Sequence, residues 1–375
     1  GGLIAVGVTV PHADLDGAAT ARLGGTASVA TQQDVTIRAN ATNEGYATGH
    51  GVTVAGIAVG GMAATVEIGR GTGTSEVTAS LDAGADILSA RYVTIAATST
   101  DTARADGESA GGGAISVTGA LAQISSDQGT LVRIGNGATI NAVTVNLQSD
   151  NTERLDTQSE ALQFGLATGG GALSTIAVTG DALIGIGAGA EVTAINILAS
   201  ARNAFEKTYY ADNDEANLAS ASVSLAGVNA LLSKTEVGSD GDEFQARIDV
   251  GVGARLTSAG DNADPGVLRL DAFTDVNALD SVETEAYGAL GISLGKSDVE
   301  ANTRSAVNLD GATVRSVAGN VDIATRSNAY ARTDVNTTVA VAITGAGGAA
   351  AITDLETHND ITLNNATVKG RDVKL

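Results

Sequence analysis

The side chains in this chain that could do chemistry are few and scattered. Three histidines, His12, His50 and His358, stand far apart in dissimilar surroundings, and each is expected as a solvated surface residue. Glu153, Asp156 and Glu160 share one polar stretch, as the carboxylates of a polysaccharide-active enzyme would. They stand at mixed parity, however, and successive side chains of a strand point to opposite faces. They cannot all line one site, so a solvated bend or outer surface is expected instead. Asp212-Asn213-Asp214-Glu215 and Ser239-Asp240-Gly241-Asp242-Glu243 gather hard oxygen donors in loops, the ligand type that Ca2+ takes. Neither has the spacing of an EF-hand loop or of a calcium β-roll, so solvated turn acids are the expectation and calcium the one cofactor left open. Tyr209-Tyr210 offers either a sticky contact for a sugar or protein or a cover for an edge of the fold, and the cover is preferred. Gly187-Ala188-Gly189-Ala190 is no phosphate loop, because no Lys-Ser or Lys-Thr follows it. No catalytic, cofactor-binding or metal-ligating residue is assigned, and the chain is not expected to be an enzyme.

The elements that must position these residues are written in an unusual alphabet. Of 375 residues, 43% are hydrophobic but only 3% aromatic, with 48 Gly, two Pro, no Trp and no Cys. A core drawn from Ala, Val, Ile and Leu has to be thin. Charged residues make up 17%, below the usual quarter, and regular Val and Ile provide surface to bury, so the chain is not a charge-extended disordered one. A formal net charge of −22 argues against nucleic acid as a partner and against binding anionic lipid through a basic patch. No apolar run reaches the ~18 residues of a membrane span, so no membrane insertion is expected. Without Cys, disulfides and thiol catalysis are excluded. Gly1-Gly2-Leu3-Ile4 carries neither a basic start nor a cleavage pattern, and residues 1–375 read as one continuous segment of a longer repetitive chain.

Repetition is the strongest signal. An Ala-x-(Val/Ile/Leu) step recurs at Ala27-Ser28-Val29, Ala85-Asp86-Ile87, Ala138-Thr139-Ile140, Ala190-Glu191-Val192, Ala254-Arg255-Leu256, Ala312-Thr313-Val314 and Ala366-Thr367-Val368. Successive anchor alanines are 58, 53, 52, 64, 58 and 54 residues apart. A second alternating pair follows each: Val35-Thr36-Ile37, Val93-Thr94-Ile95, Val143-Thr144-Val145, Ile195-Asn196-Ile197, Leu268-Arg269-Leu270, Val321-Asp322-Ile323 and Val373-Lys374-Leu375. Period-two alternation of β-branched residues predicts strands with the apolar member inward. Before most anchors stands Gly84, Gly137, Gly189, Gly253 or Gly311, and once Asn365. These residue types best tolerate φ > 0, which predicts a sharp corner at every turn. A third strand region, exemplified by Val52-Thr53-Val54, Ile115-Ser116-Val117, Ile176-Ala177-Val178 and Ile292-Ser293-Leu294, leads to a further strand such as Val132-Arg133-Ile134. About four strands per repeat are therefore expected. Insertions fall at bends: Asp261–Gly266, a Pro-Gly and Asx-rich turn, and the segment from Phe205 to Glu215.

A single such repeat leaves both strand edges unpaired; stacking pairs them. The expected fold is all-β, a right-handed parallel β-solenoid (β-helix) of seven degenerate repeats of 52–64 residues, with one wide coil per repeat. A series of β-sandwiches is the rival, but sandwich domains need about 100 residues each and larger core residues.

The segments Ile134-Gly135-Asn136-Gly137-Ala138-Thr139-Ile140-Asn141-Ala142 and Ile186-Gly187-Ala188-Gly189-Ala190-Glu191-Val192-Thr193-Ala194 resemble the repeats of large exoproteins of Gram-negative bacteria, the filamentous-haemagglutinin-like and leukotoxin-like adhesins. That resemblance implies export by a two-partner or autotransporter route to the exterior or cell surface, and a role in adhesion, biofilm or surface filaments. The implied partners are a host or neighbouring-cell surface protein or glycan, or copies of the chain itself. A self-assembling extracellular filament or matrix polymer is the alternative, and a polysaccharide-active β-helix enzyme a remote third.

Overall fold

The computed structural model describes residues 2–69, 76–213, 215–239 and 241–375. The chain is an all-β parallel solenoid, and each repeat is one coil. The inward residues of successive second pairs lie beside one another rung by rung: Val35 beside Val93, Val93 beside Val145, Val145 beside Ile197, Ile197 beside Leu268, Leu268 beside Val321 and Val321 beside Val373. Anchor steps stack likewise, from Val29 and Ile87 through Ile140, Val192, Leu256 and Val314 to Val368. Every pairing between these coils is parallel, so the backbone groups that one repeat leaves open are satisfied by the next.

Two expectations about register need correction. In the third and fourth copies the equivalent pairs are Val145 and Ile197, not Val143 and Ile195, which sit two residues earlier. A slip of two keeps the same face inward, so alternation alone cannot detect it. The third strand regions are also not equivalent to one another. Val52-Thr53-Val54 pairs with Ala110-Gly111-Gly112, whereas Ile115-Ser116-Val117 pairs with Ala167-Thr168-Gly169.

The coil is flat and two-layered. From each corner an outgoing arm runs to a tip, and a return arm comes back facing it. Across the gap the Thr157 and Ser174 hydroxyls meet at 2.5 Å, Thr130 and Ser149 at 2.9 Å, and Thr274 and Ser305 at 3.1 Å. Extended arms of roughly 25 residues make a slab about 80 Å wide, and seven rungs ~4.8 Å apart make it about 30 Å tall. The strands are consequently much longer than the four short ones expected per repeat: Asp86–Ser126 and Thr139–Val178 each run through a tip without a break.

Interior chemistry changes along the arms. Near the corners the core is aliphatic, with Val132, Ile134, Ile140, Val145, Leu147, Ile184 and their stacked equivalents buried together. Toward the tips the arms converge. A Cβ on Gly107 would stand 2.8 Å from the Leu121 carbonyl oxygen, so only small residues fit, and Ser, Thr, Gly and Ala replace the aliphatics.

The corners are as expected: Gly84, Gly137, Gly189, Gly253 and Gly311 have φ between +57° and +74°, and Asn365 has φ +50°. Nothing lies within 4 Å of the Cβ that Gly137 lacks, so its requirement is conformational alone. Gly137→Ala is expected to cost about 1–2 kcal/mol. Gly137→Asn should cost less, because Asn365 adopts this conformation at the equivalent corner, and urea midpoints of the two variants check the order. The Asp261–Gly266 insertion is a turn in which Asp261 Oδ1 accepts from the backbone N–H groups of Ala263 (2.8 Å) and Asp264 (2.9 Å). Those bonds hold the Asp261 carboxyl below its ordinary range.

Candidate functional site

The outer face of the outgoing arms carries the most elaborate side-chain arrangement, built around the fourth-repeat insertion. After Lys207 the chain leaves its rung, makes one helical turn over Tyr209–Asp212 and rejoins the sheet at Leu218. This insertion reaches back over two coils. Its Tyr209 N–H donates to Asp156 on the preceding coil (3.2 and 3.3 Å). The Arg104 guanidinium, one coil further back, lies 3.2 Å from the Tyr209 ring centroid. Tyr210 is buried, packs edge-on against Tyr209 at 5.1 Å and donates its hydroxyl to Asp106. The tyrosine pair is thus a strap over the sheet face. Burial raises the Asp156 carboxyl to about 7 against the opposing pull of Lys207, and burial also raises Asp106.

Beside the strap a groove of about 570 Å3 crosses four coils, with Arg154, Glu206, Asn277, Tyr330 and Arg332 along it. Arg154 pairs with Glu206 at 3.2 Å, Arg202 with Asp275 at 3.7 Å, and Asn328 donates to Asp275 at 2.9 Å. Four consecutive rungs supply this lining, because Arg154, Glu206, Asn277 and Tyr330 point outward in one ladder. Tyr330 remains half exposed. An open aromatic face beside planar amides and paired charges can hold a hydroxyl-rich or peptide ligand by stacking and hydrogen bonds.

The acids of the polar stretch are separated, as their parity required, but two of them are not solvated. Glu153 points inward and is fully buried, Asp156 lies beneath the strap, and Glu160 is half-buried on the outer side. Burial, with the charge of Asp101 one rung away, raises Glu153 to about 8. The expectation failed for Glu153 because a coil interior made of Ser, Asn and Thr accepts a polar residue that an aliphatic core would not. The three histidines are exposed: His12 meets Thr65 (2.7 Å), His50 meets Glu108 (2.6 Å), and His358 lies between Glu243 (3.1 Å) and Glu356 (3.0 Å). Hydrogen bonds donated by its ring to those two carboxylates raise the His358 pKa.

Of the two acidic loops, Asp214 and Asp240 lie outside the described residues, as does the side chain of Asp212. Ser239 and Asp242 close a tight turn through two backbone hydrogen bonds (2.9 and 3.1 Å), and Glu243 is engaged by Arg304 at 3.3 Å. Among the described residues no group of three or more His, Asp or Glu side chains is placed to hold a metal ion.

Sequence reasoning missed a buried ion pair. Lys207 Nζ donates to Asp280 Oδ1 at 2.8 Å and to Thr235 at 2.9 Å, and Asp280 also accepts from Ser233 (2.9 Å) and Ser297 (2.5 Å). Neither charged side chain is exposed. The signal was present: counting by two from Ile197 puts Lys207 inward, and counting by two from Leu268 does the same for Asp280. No helix is long and apolar enough to cross a membrane among the described residues. Comparison with family models, with curated proteins and with solved structures finds no match.

Proposed function

We propose that this chain is a section of the shaft of an extracellular bacterial surface protein, structural and adhesive rather than catalytic. The observation that carries this reading is the rung-by-rung parallel pairing of every repeat with the next. Such a stack resists bending and separation, because each coil is held by dozens of parallel backbone hydrogen bonds acting together. Its charge keeps a long exposed surface soluble. The groove beside the tyrosine strap supplies a place for a surface glycan or protein, and the family resemblance of the corner segments points the same way.

Electron microscopy of the purified chain tests the structural half. Uniform flat particles in which each chain is a slab near 80 Å by 30 Å, unchanged by a calcium chelator, are expected; collapse on chelation would make the acidic loops ion sites and the shaft metal-dependent. Binding to a glycan array and to cells tests the adhesive half. Retention that falls at least tenfold in Tyr330→Ala, with the fold intact by circular dichroism, is expected. Retention equal to that of the parent chain would remove the groove from the adhesive reading.

A further inference from the structure

Near the tips the sheet is inside out. On the return arms Ser116, Thr118 and Ser293 are buried, while Ile115, Val117, Ile292 and Leu294 between them face outward. The outward residues stack in ladders: Ile57, Ile115, Ala167, Ala226 and Leu290; then Val59, Val117, Gly169, Val228 and Ile292. Two more ladders follow toward the corner, one of Gly61, Gly119, Gly171, Ala230 and Leu294, the next containing Leu121, Leu173 and Leu232. Across these ladders the large apolar side chains from Ile57 to Leu294 are 36–49% exposed, apart from Leu121, which is half-buried. The first charge on this surface is Lys296, at its margin. Glu67, Lys234, Glu236, Asp298 and Glu300 lie beyond it on the corner side.

Four ladders over five coils span roughly 25 Å by 25 Å, on the order of 600 Å2. That is at the upper limit of the apolar patches monomers expose, and Leu166 and Leu225 at the tips, 59% and 58% exposed, carry it toward the ~800 Å2 per partner of a stable interface. The patch is also shaped. The row Ala167, Gly169, Gly171 on one coil is a shallow valley, flanked by ridges of Ile115 and Val117 on one side and of Val228, Leu290 and Ile292 on the other.

We propose that this face is covered by the same face of a second copy of the chain, so that two shafts lie side by side with their sheets packed ~10 Å apart. Three observations select that occupant. A ridge with the rung spacing of a β-sheet fits the valley, and another coil stack presents such a ridge. Two molecules of net charge −22 repel one another over most of their surfaces, and this uncharged face is where they can approach. The margin, in which Glu67, Glu236, Asp298 and Glu300 outnumber Lys234 and Lys296, is net negative and disfavours an anionic membrane. The inference deepens the shaft reading by naming a partner for it.

The test is sedimentation of the purified chain across a concentration series, at 50 mM and 500 mM NaCl, beside the variants Val117→Asp and Val228→Asp. Both positions face solvent in a single molecule, so the variants should fold, and circular dichroism confirms it. Dimers that strengthen with salt, as screened repulsion requires, and that dissociate at least tenfold more readily in each variant are expected. Single-cysteine variants at the same positions, in a chain with no other Cys, should cross-link pairs under oxidation. A chain that stays monomeric, a dimer indifferent to both aspartates, or vesicle binding in place of self-association would each overturn the proposal. A monomeric flat particle in the microscope would overturn the pairing and leave the shaft reading standing, whereas an irregular particle would remove both.

Discussion

Acidifying this protein from pH 8.5 to pH 5 is expected to stabilise it, by an amount to which Glu153 alone contributes on the order of a few kcal/mol. The sign follows from burial. In the folded chain Glu153 holds its proton up to about pH 8, Asp156 up to about 7 and Asp181 up to about 6, each raised chiefly by burial. In the unfolded chain the same groups ionise near pH 4. Between those limits the unfolded state binds fewer protons than the folded one, so stability falls as pH rises. The contribution of Glu153 is complete below about pH 4.5 and fully lost above about 8. With three acids acting below pH 6, two to pH 7 and one to pH 8, the fall is steepest at the acid end. Glu153→Gln, neutral at every pH, should match the parent near pH 4.5 and exceed it at pH 8.5 in urea midpoint. Glu108→Gln removes an acid from the outer surface and controls for relief of the overall charge. A parent midpoint that rises with pH, or a Glu153→Gln midpoint equal to the parent's at pH 8.5, would refute the burial account.

Lys207→Met is expected to be among the most damaging single substitutions in the chain, costing about 3–5 kcal/mol. It leaves Asp280 in the interior with its Ser233 and Ser297 donors but without its cation. Adding Asp280→Leu should recover more than half of that loss, since an apolar pair needs no counter-charge. Full recovery is not expected, because the Thr235, Ser233 and Ser297 hydroxyls keep no partner from the pair and each orphaned group costs about 1–3 kcal/mol. Urea midpoints of the two singles and the double form the cycle. A double variant as unstable as Lys207→Met would show that the site serves packing and not charge. The pair stands where the insertion leaves the sheet and joins the fourth coil to the fifth and to its own return arm, so it fixes the register where the insertion interrupts backbone pairing.

The two effects share a cause in the narrow interior of the coils. Facing arms that approach closely leave room for Ser, Thr, Asn and Gly, and hydroxyl and amide partners make buried charge tolerable. The Asn151 to Asn203 bond at 3.0 Å belongs to the same pattern, since in-register stacking places like side chains one rung apart.

What the sequence determined by itself was the repeat, and with it the solenoid. Seven alanine anchors at near-constant spacing, β-branched alternation and a Gly or Asn before each anchor are local requirements: strand, face and left-handed corner are each written within a few residues. The corner prediction held at Asn365 as well as at the glycines, because φ > 0 is a property of one residue. Parity carried further than it was taken, for it already placed Lys207 and Glu153 inside. Tertiary structure alone decided what those insides are. Alternation states that two faces differ, but at the tips it does not say which is buried. There the apolar residues face out and the hydroxyls face in, because the width of the gap between two arms, set by residues some 10 to 30 positions apart along the chain, leaves no space for an isoleucine. The two-residue slip at Val145 and Ile197, the crossing of the strap from Tyr210 to Asp106 and the ladder that assembles the groove at Tyr330 depend equally on which rung lies beside which, and that is a property of the stack.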